Sequence, residues 1–168
     1  MELKLAQIEA PIVRLSPVEP ESLAAAIAWA ETPNFAEFFR RFPPLQDWMS
    51  WDRAAQVLAS CYQVSVDGRL VGLATIHKHD SENVELGLLL EGDARVYSEQ
   101  VRDQMISYAF NYLKVNRVFV RILPSRTGMI SKHIGIGFKE EGRTRQSCQV
   151  NGKYSDELVF GLLKGERK

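Results

Sequence analysis

The sequence has no surplus of either charge: 21 lysines and arginines balance 21 aspartates and glutamates in 168 residues. A general binder of nucleic acid or of anionic membrane carries a basic excess, so the balance argues against both, while leaving room for a local basic pocket. Long apolar runs are missing too. None approaches the ~20 residues that cross a bilayer, and the start carries Glu2, Lys4 and Glu9, unlike a secretion signal. Cysteine is scarce. Cys61 and Cys148 both fall in strand-like segments and read as buried free thiols in a reducing compartment, which points to the cytoplasm. No repeat, low-complexity block or linker divides the chain, so residues 1–168 are expected to form one domain, long enough to bury a core.

What is present is a change of period along the chain. Ile12–Leu15 reads as a strand, stopped by Ser16-Pro17. Behind Pro20-Glu21-Ser22, Leu23–Ala30 consists of strong helix formers. Phe35, Phe38, Phe39 and Phe42 fall at helical spacing, and after Pro43-Pro44 a helix resumes over Trp48–Ala59. From Cys61 the residues alternate. Cys61–Val66, the turn dipeptide Asp67-Gly68, Leu70–His77 and Val84–Leu90 make an antiparallel meander. Ser98 is expected to cap a long helix carrying Val101, Met105, Tyr108 and Tyr112 on one side, ended by Asn116. A strand over Arg117–Leu123, a short helix near Met129–Gly135, and strands Phe138–Val150 and Glu157–Leu163 joined at Asn151-Gly152 complete the chain. The order β-α-α-β-β-β-α-β-α-β-β describes an α/β (α+β) fold: a mixed, mostly antiparallel sheet with one crossover that makes a parallel pair.

That order, together with the run Asn116–Pro124, the run Gly137–Gly142, the hairpin Asn151–Asp156 and Val84-Glu85-Leu86-Gly87 upstream, resembles the GNAT superfamily of acyl-CoA N-acyltransferases, in its ribosomal-protein-alanine acetyltransferase-like branch. The resemblance implies an N-acetyltransferase that moves acetyl from acetyl-CoA to a primary amine, a small molecule or a protein N-terminus, by direct attack. It implies a cofactor lying where the fourth and fifth strands splay, its pantetheine along the backbone of Leu88, Leu89 and Leu90. The pyrophosphate would sit on the helix starting at Ser98, where free N–H groups and the helix dipole attract anions. The family's pyrophosphate loop maps onto Arg95-Val96-Tyr97-Ser98-Glu99-Gln100, so Arg95, Tyr97, Ser98, Glu99 and Gln100 are expected at the cofactor. Here the chain departs from the pattern: Ser98 and Gln100 occupy positions the family keeps small so that backbone amides approach the phosphates.

Glu85 matches the family's base, which must take a proton from the amine before it attacks. On the short helix, Arg126 replaces the family's Asn beside the cofactor, and His133 replaces its Tyr, the acid to the departing thiolate. His133, or Ser131 two residues earlier, is expected to supply that proton. The same departures admit a second reading, a catalytically degenerate domain that survives as a protein-binding or assembly module. His77-Lys78-His79-Asp80 puts two histidines on one strand face without a third or fourth ligand, and no metal is expected there. The aromatic stretch Phe35–Trp51, with Arg40 and Arg41 inside it, falls where the family builds its acceptor wall. Core packing accounts for most of it, and Trp48 and Trp51 beside the Pro-Pro step also suit a homodimer or partner surface. Tyr154 and Asp156 resemble family positions near the acceptor.

Overall fold

The meander expected from the alternating segments forms, and the crossover adds to it. In the computed structural model, which describes residues 10–40, 42–43 and 50–167, the strands are β1 (Val13–Pro17), β2 (Cys61–Val66), β3 (Arg69–Lys78), β4 (Asn83–Leu90), β5 (Arg117–Ile122), β6 (Lys139–Val150) and β7 (Lys153–Leu163). They form one sheet in the order β1-β2-β3-β4-β5-β7-β6. Among the described residues only the β4–β5 pair is parallel. The turn dipeptides act as their composition requires: Asp67 and Gly68 have φ of 49° and 82°, Asn151 and Gly152 of 50° and 75°. Such left-handed pairs match the twist of a two-residue hairpin.

The helices divide between the two faces of this sheet. α1 (Leu23–Ala30), α2 (Ala36–Phe39) and α3 (Trp51–Val57) pack Ala26, Trp29, Phe39 and Ala54 on Cys61, Leu73 and Leu89. The phenylalanines of the α2 region turn inward, with Phe38, Phe39 and Phe42 ring centroids 5.0–5.6 Å apart. On the other face, α4 (Ser98–Ser107) and α5 (Thr127–Gly135) close a larger core in which Val101, Met105 and Phe110 meet Leu86, Leu90, Val118, Val120, Phe160 and Leu162. Successive strand residues point to opposite faces, so Glu85, Gly87 and Leu89 look toward α1–α3 while Leu86, Leu88 and Leu90 look toward α4 and α5. Among the described residues no helix is long and apolar enough to cross a membrane.

Three details differ from the sequence reading. β1 runs through Pro17, which pairs with Tyr62 on a sheet edge where a missing N–H is tolerated. The helix expected over Trp48–Ala59 begins at Trp51, since Ser50 is extended (φ −112°, ψ 150°) and forms its N-cap; Trp48 and Met49 lie outside the described residues. Ser98 is not a cap. A 3-10 helix over Gly92–Tyr97 leads straight into α4, so Ser98 is already helical (φ −59°, ψ −32°) and its N–H donates to the Arg95 carbonyl. The far end of α4 widens into a π-helical turn, Tyr108–Tyr112, in which the rings of Tyr108 and Tyr112 stack 4.9 Å apart.

Candidate functional site

The one parallel pair is short. β4 and β5 are in register only at Asn83–Arg117, Val84–Val118 and Glu85–Phe119, yet β4 runs on to Leu90 and β5 to Ile122. Beyond Glu85 each strand keeps its outer neighbour, β3 for one and β7 for the other, and the two part. Leu88, Leu89 and Leu90 therefore stand along a strand edge that no other strand pairs among the described residues. Backbone groups on such an edge are ready for an added partner. Gly87 keeps the floor of this opening low: a Cβ there would fall 2.4 Å from Thr75 Oγ1 and 3.6 Å from the Phe38 ring.

Glu85 sits at the point where the strands separate, its side chain 12% exposed. His79 Nε2 lies 2.9 Å from Glu85 Oε2, and Arg121 Nε lies 3.7 Å from Oε1. Around it the α1–α3 face is a lattice of ion pairs. Arg117 bonds Glu141, Arg126 Nε donates to Glu37 at 2.8 Å, and Arg40, the C-cap of α2, joins Glu37 on that helix to Glu157 on β7. Four carboxylates thus meet four guanidinium groups across the mouth of the split.

At the opposite end of the split are the residues expected to meet the pyrophosphate. Arg95 is exposed on the 3-10 helix, with its Nε 3.5 Å from the Leu90 carbonyl. Tyr97 packs against the core beneath α4, Ser98 is half-buried, and Glu99 and Gln100 are exposed on the first turn of the helix. Because the 3-10 helix uses the Ser98 N–H, that amide is already engaged. Arg126 stands at the N-cap of α5 and turns toward α2 through its bond to Glu37.

The two candidate acids on α5 have opposite settings. Ser131 is exposed. His133 is 4% exposed, edge-on to Phe138, with Nδ1 donating to the Met129 carbonyl at 2.8 Å. Burial pushes its pKa down to about 4, and nearby Arg102 adds to the effect, while the bond to Met129 opposes it. The ring is therefore neutral at pH 7, and its one N–H is tied to a carbonyl.

In the unfolded chain this imidazole titrates near 6.5, so on acidification the unfolded state binds the proton first. Stability is then lost as pH falls from about 6.5 to about 4, by about 3 kcal/mol over the full window. Urea midpoints of the wild type and of His133→Gln, compared at pH 7 and pH 4.5, are expected to show a smaller pH loss in the variant. An identical loss would place the acid sensitivity elsewhere.

Sequence reasoning singled out Glu85 and the splay and set Arg40 at the expected acceptor wall, but did not connect His79, Arg121, Glu37 or Glu157 with them. His79 was legible as a strand-face partner of His77, and its relation to Glu85 follows once His77 is known to pair with Glu85 across the hairpin. Tyr154 is exposed, and Asp156 bonds Arg143 and the Gln146 N–H in the β6–β7 hairpin.

Comparison with known proteins agrees with this architecture. The family described as acetyltransferase (GNAT) domain matches residues 13–139. A protein of Bacillus subtilis (strain 168) named ribosomal N-acetyltransferase YdaF is 28% identical over 150 residues, covering 87% of this chain and 80% of the relative. Among solved structures, a spermidine N-acetyltransferase from Vibrio cholerae, in complex with CoA and spermine, superposes with a TM-score of 0.78 at 14% identity, covering 92% of this chain and 96% of the other. A GNAT-family acetyltransferase from Bacillus anthracis superposes with 0.73 at 15%, covering 92% and 96%. Those two likenesses carry the fold alone. The family match, which spans most of the chain and includes the split, β4 and Glu85, carries more: the chain belongs to the GNAT family of acetyltransferases.

Proposed function

We propose that this chain transfers acetyl from acetyl-CoA to a single primary amine, that of a protein N-terminus, with Glu85 as the base. The observation that carries the reading is the place of Glu85, the last residue of the β4–β5 ladder, which puts its carboxylate at the mouth of the split. The edge of Leu88–Leu90 suits the pantetheine amides, and Arg95 is the cation at the pyrophosphate end. Glu85 takes a proton from the ammonium and the freed amine attacks the thioester carbonyl; the tetrahedral adduct then gives its second N–H proton to water as it collapses to amide and CoA thiolate. The thiolate takes its proton from Ser131 or from water, since His133 is buried and neutral and its one N–H is held by the Met129 carbonyl. No acyl-enzyme is needed: the buried Cys61 thiol is pushed up to about 12 by desolvation and stays protonated. The unpaired β4 edge and the retained base favour catalysis over a binding module.

The acceptor follows from charge. A polyamine brings several positive charges and needs carboxylates in excess, whereas the four described on this face are each matched by a guanidinium group. A peptide with one α-amine suits a mouth whose described charges balance; a protein acceptor also fits the word ribosomal in the name of the Bacillus subtilis relative. The free thiols of Cys61 and Cys148 suit a reducing compartment, the cytoplasm.

Calorimetric titration with acetyl-CoA is expected to give a Kd near micromolar, about −8 kcal/mol, weakened by Arg95→Ala. Thiol release is then compared between a short peptide with a free N-terminus and spermidine. Absence of binding up to millimolar would overturn the enzyme reading, and faster turnover of spermidine would overturn the acceptor.

A further inference from the structure

The sequence run His77-Lys78-His79-Asp80 brings no metal-holding group together among the described residues, yet the fold carries it to the site. His79 is fixed from several directions. Its backbone N–H donates to the Asn83 carbonyl, and the following turn is held by Asp80, whose Oδ1 accepts the N–H groups of Glu82 and Asn83 at 2.7 and 2.8 Å. The ring lies edge-on to His77 with centroids 4.8 Å apart and 5.1 Å from Phe119, itself covered by the Arg117 guanidinium at 4.5 Å. Thus held, Nε2 meets Glu85 Oε2 at 2.9 Å. Arg121, at 3.7 Å from Oε1, contributes charge but no hydrogen bond. A partly exposed contact of this kind adds little to stability, so stability gives no reason for so closely held a ring beside this carboxylate.

We propose that His79 is the positioning residue of the transfer reaction: Nε2–H pins Glu85 Oε2 and turns the carboxylate so that Oε1 faces the acceptor amine at the split. The inference rests on the assignment of Glu85 as base. It acts on geometry. A carboxylate that loses this bond turns more readily about its last torsion and presents the right oxygen less of the time, and misplacement of a reacting group by about 1 Å costs on the order of 100-fold.

The test compares wild type, His79→Ala, His79→Gln and Glu85→Gln, with acetyl-CoA binding measured by calorimetry and turnover measured with the peptide and with spermidine. His79→Ala is expected to lose about 10- to 100-fold in kcat with acetyl-CoA affinity unchanged. His79→Gln, whose amide N–H reaches the same oxygen, is expected to restore most of it. The 13C resonance of the Glu85 carboxylate, followed at one pH, is expected to move in His79→Ala and return in His79→Gln, and this readout needs no acceptor. Wild-type kcat in His79→Ala beside an inactive Glu85→Gln overturns the positioning role and leaves the base in place. Wild-type kcat in Glu85→Gln overturns the base and the positioning role with it. An unmoved Glu85 resonance, or equal losses for Ala and Gln, also overturns the role of His79.

Discussion

Glu85→Gln is expected to lower kcat/KM for acetyl transfer by about 10²- to 10⁴-fold while leaving the affinity for acetyl-CoA as it was. The amide keeps the shape and can still meet His79, so what is lost is the capacity to take a proton. At neutral pH most of an aliphatic amine is ammonium and has no lone pair for the thioester. Without a base the variant depends on the small fraction already free, which rises tenfold for each pH unit below the amine's pKa. The remaining rate is therefore expected to climb with pH, and its plateau reports the acceptor. An α-amine levels off near pH 8, and an alkylamine such as a lysine near 10. Steady-state kinetics over pH 6–10 with calorimetry alongside reads both quantities. A variant that keeps wild-type kcat/KM would remove Glu85 from the chemistry.

The second large effect is on stability. Glu157 is 2% exposed on β7 and pairs with Arg40, the C-cap of α2, accepting a further bond from Ser147 Oγ at 2.8 Å. Arg40 is itself mostly buried, and its Nε has no hydrogen-bond partner among the described residues. Removing Glu157 leaves that cation in a poorly solvated place with only Glu37, 3.8 Å away, as its counter-charge among the described residues, and Glu157→Ala is expected to cost about 3 kcal/mol in urea unfolding. The paired change Arg40→Met with Glu157→Leu is expected to cost far less, because neither charge is then left alone. Equal losses in the single and double variants would show that the stability comes from packing at these positions. The pair also anchors α2, whose neighbouring Phe38 overlies Gly87, so a loosened α2 is expected to raise KM for the amine before it alters acetyl-CoA binding.

How much of this was legible depended on sequence separation. The meander, the two hairpin turns and the crossover follow from local signals: period two, Asp67-Gly68 and Asn151-Gly152, and one long helix between strands. Glu85 was reached through the run Val84–Gly87, and the split through the family pattern. Arg40–Glu157 and Arg126–Glu37 join residues 117 and 89 positions apart, and no local pattern announces such pairs. The entry to α4 was misread because Ser98 has the composition of a cap, while the 3-10 helix over Gly92–Tyr97 had already begun the turn. The burial of His133 was within reach, since it lies three residues after Ile130 and three before Ile136, both packed on the core. Its polar identity points instead toward acid catalysis. Trp48 and Arg41 lie outside the described residues.

The seam between β4 and β5 has a consequence for the lifetime of the protein. Three residue pairs join the two halves of the sheet, and acetyl-CoA laid along the rest would serve as a surrogate strand. The substrate is then also a folding partner. Bound at a hundred times its Kd it would add about 2.7 kcal/mol to the native state and nothing to the unfolded one. A cell short of acetyl-CoA would therefore lose the transfer reaction twice, first through an unoccupied enzyme and then, as the open sheet is recognised by proteases, through the enzyme itself.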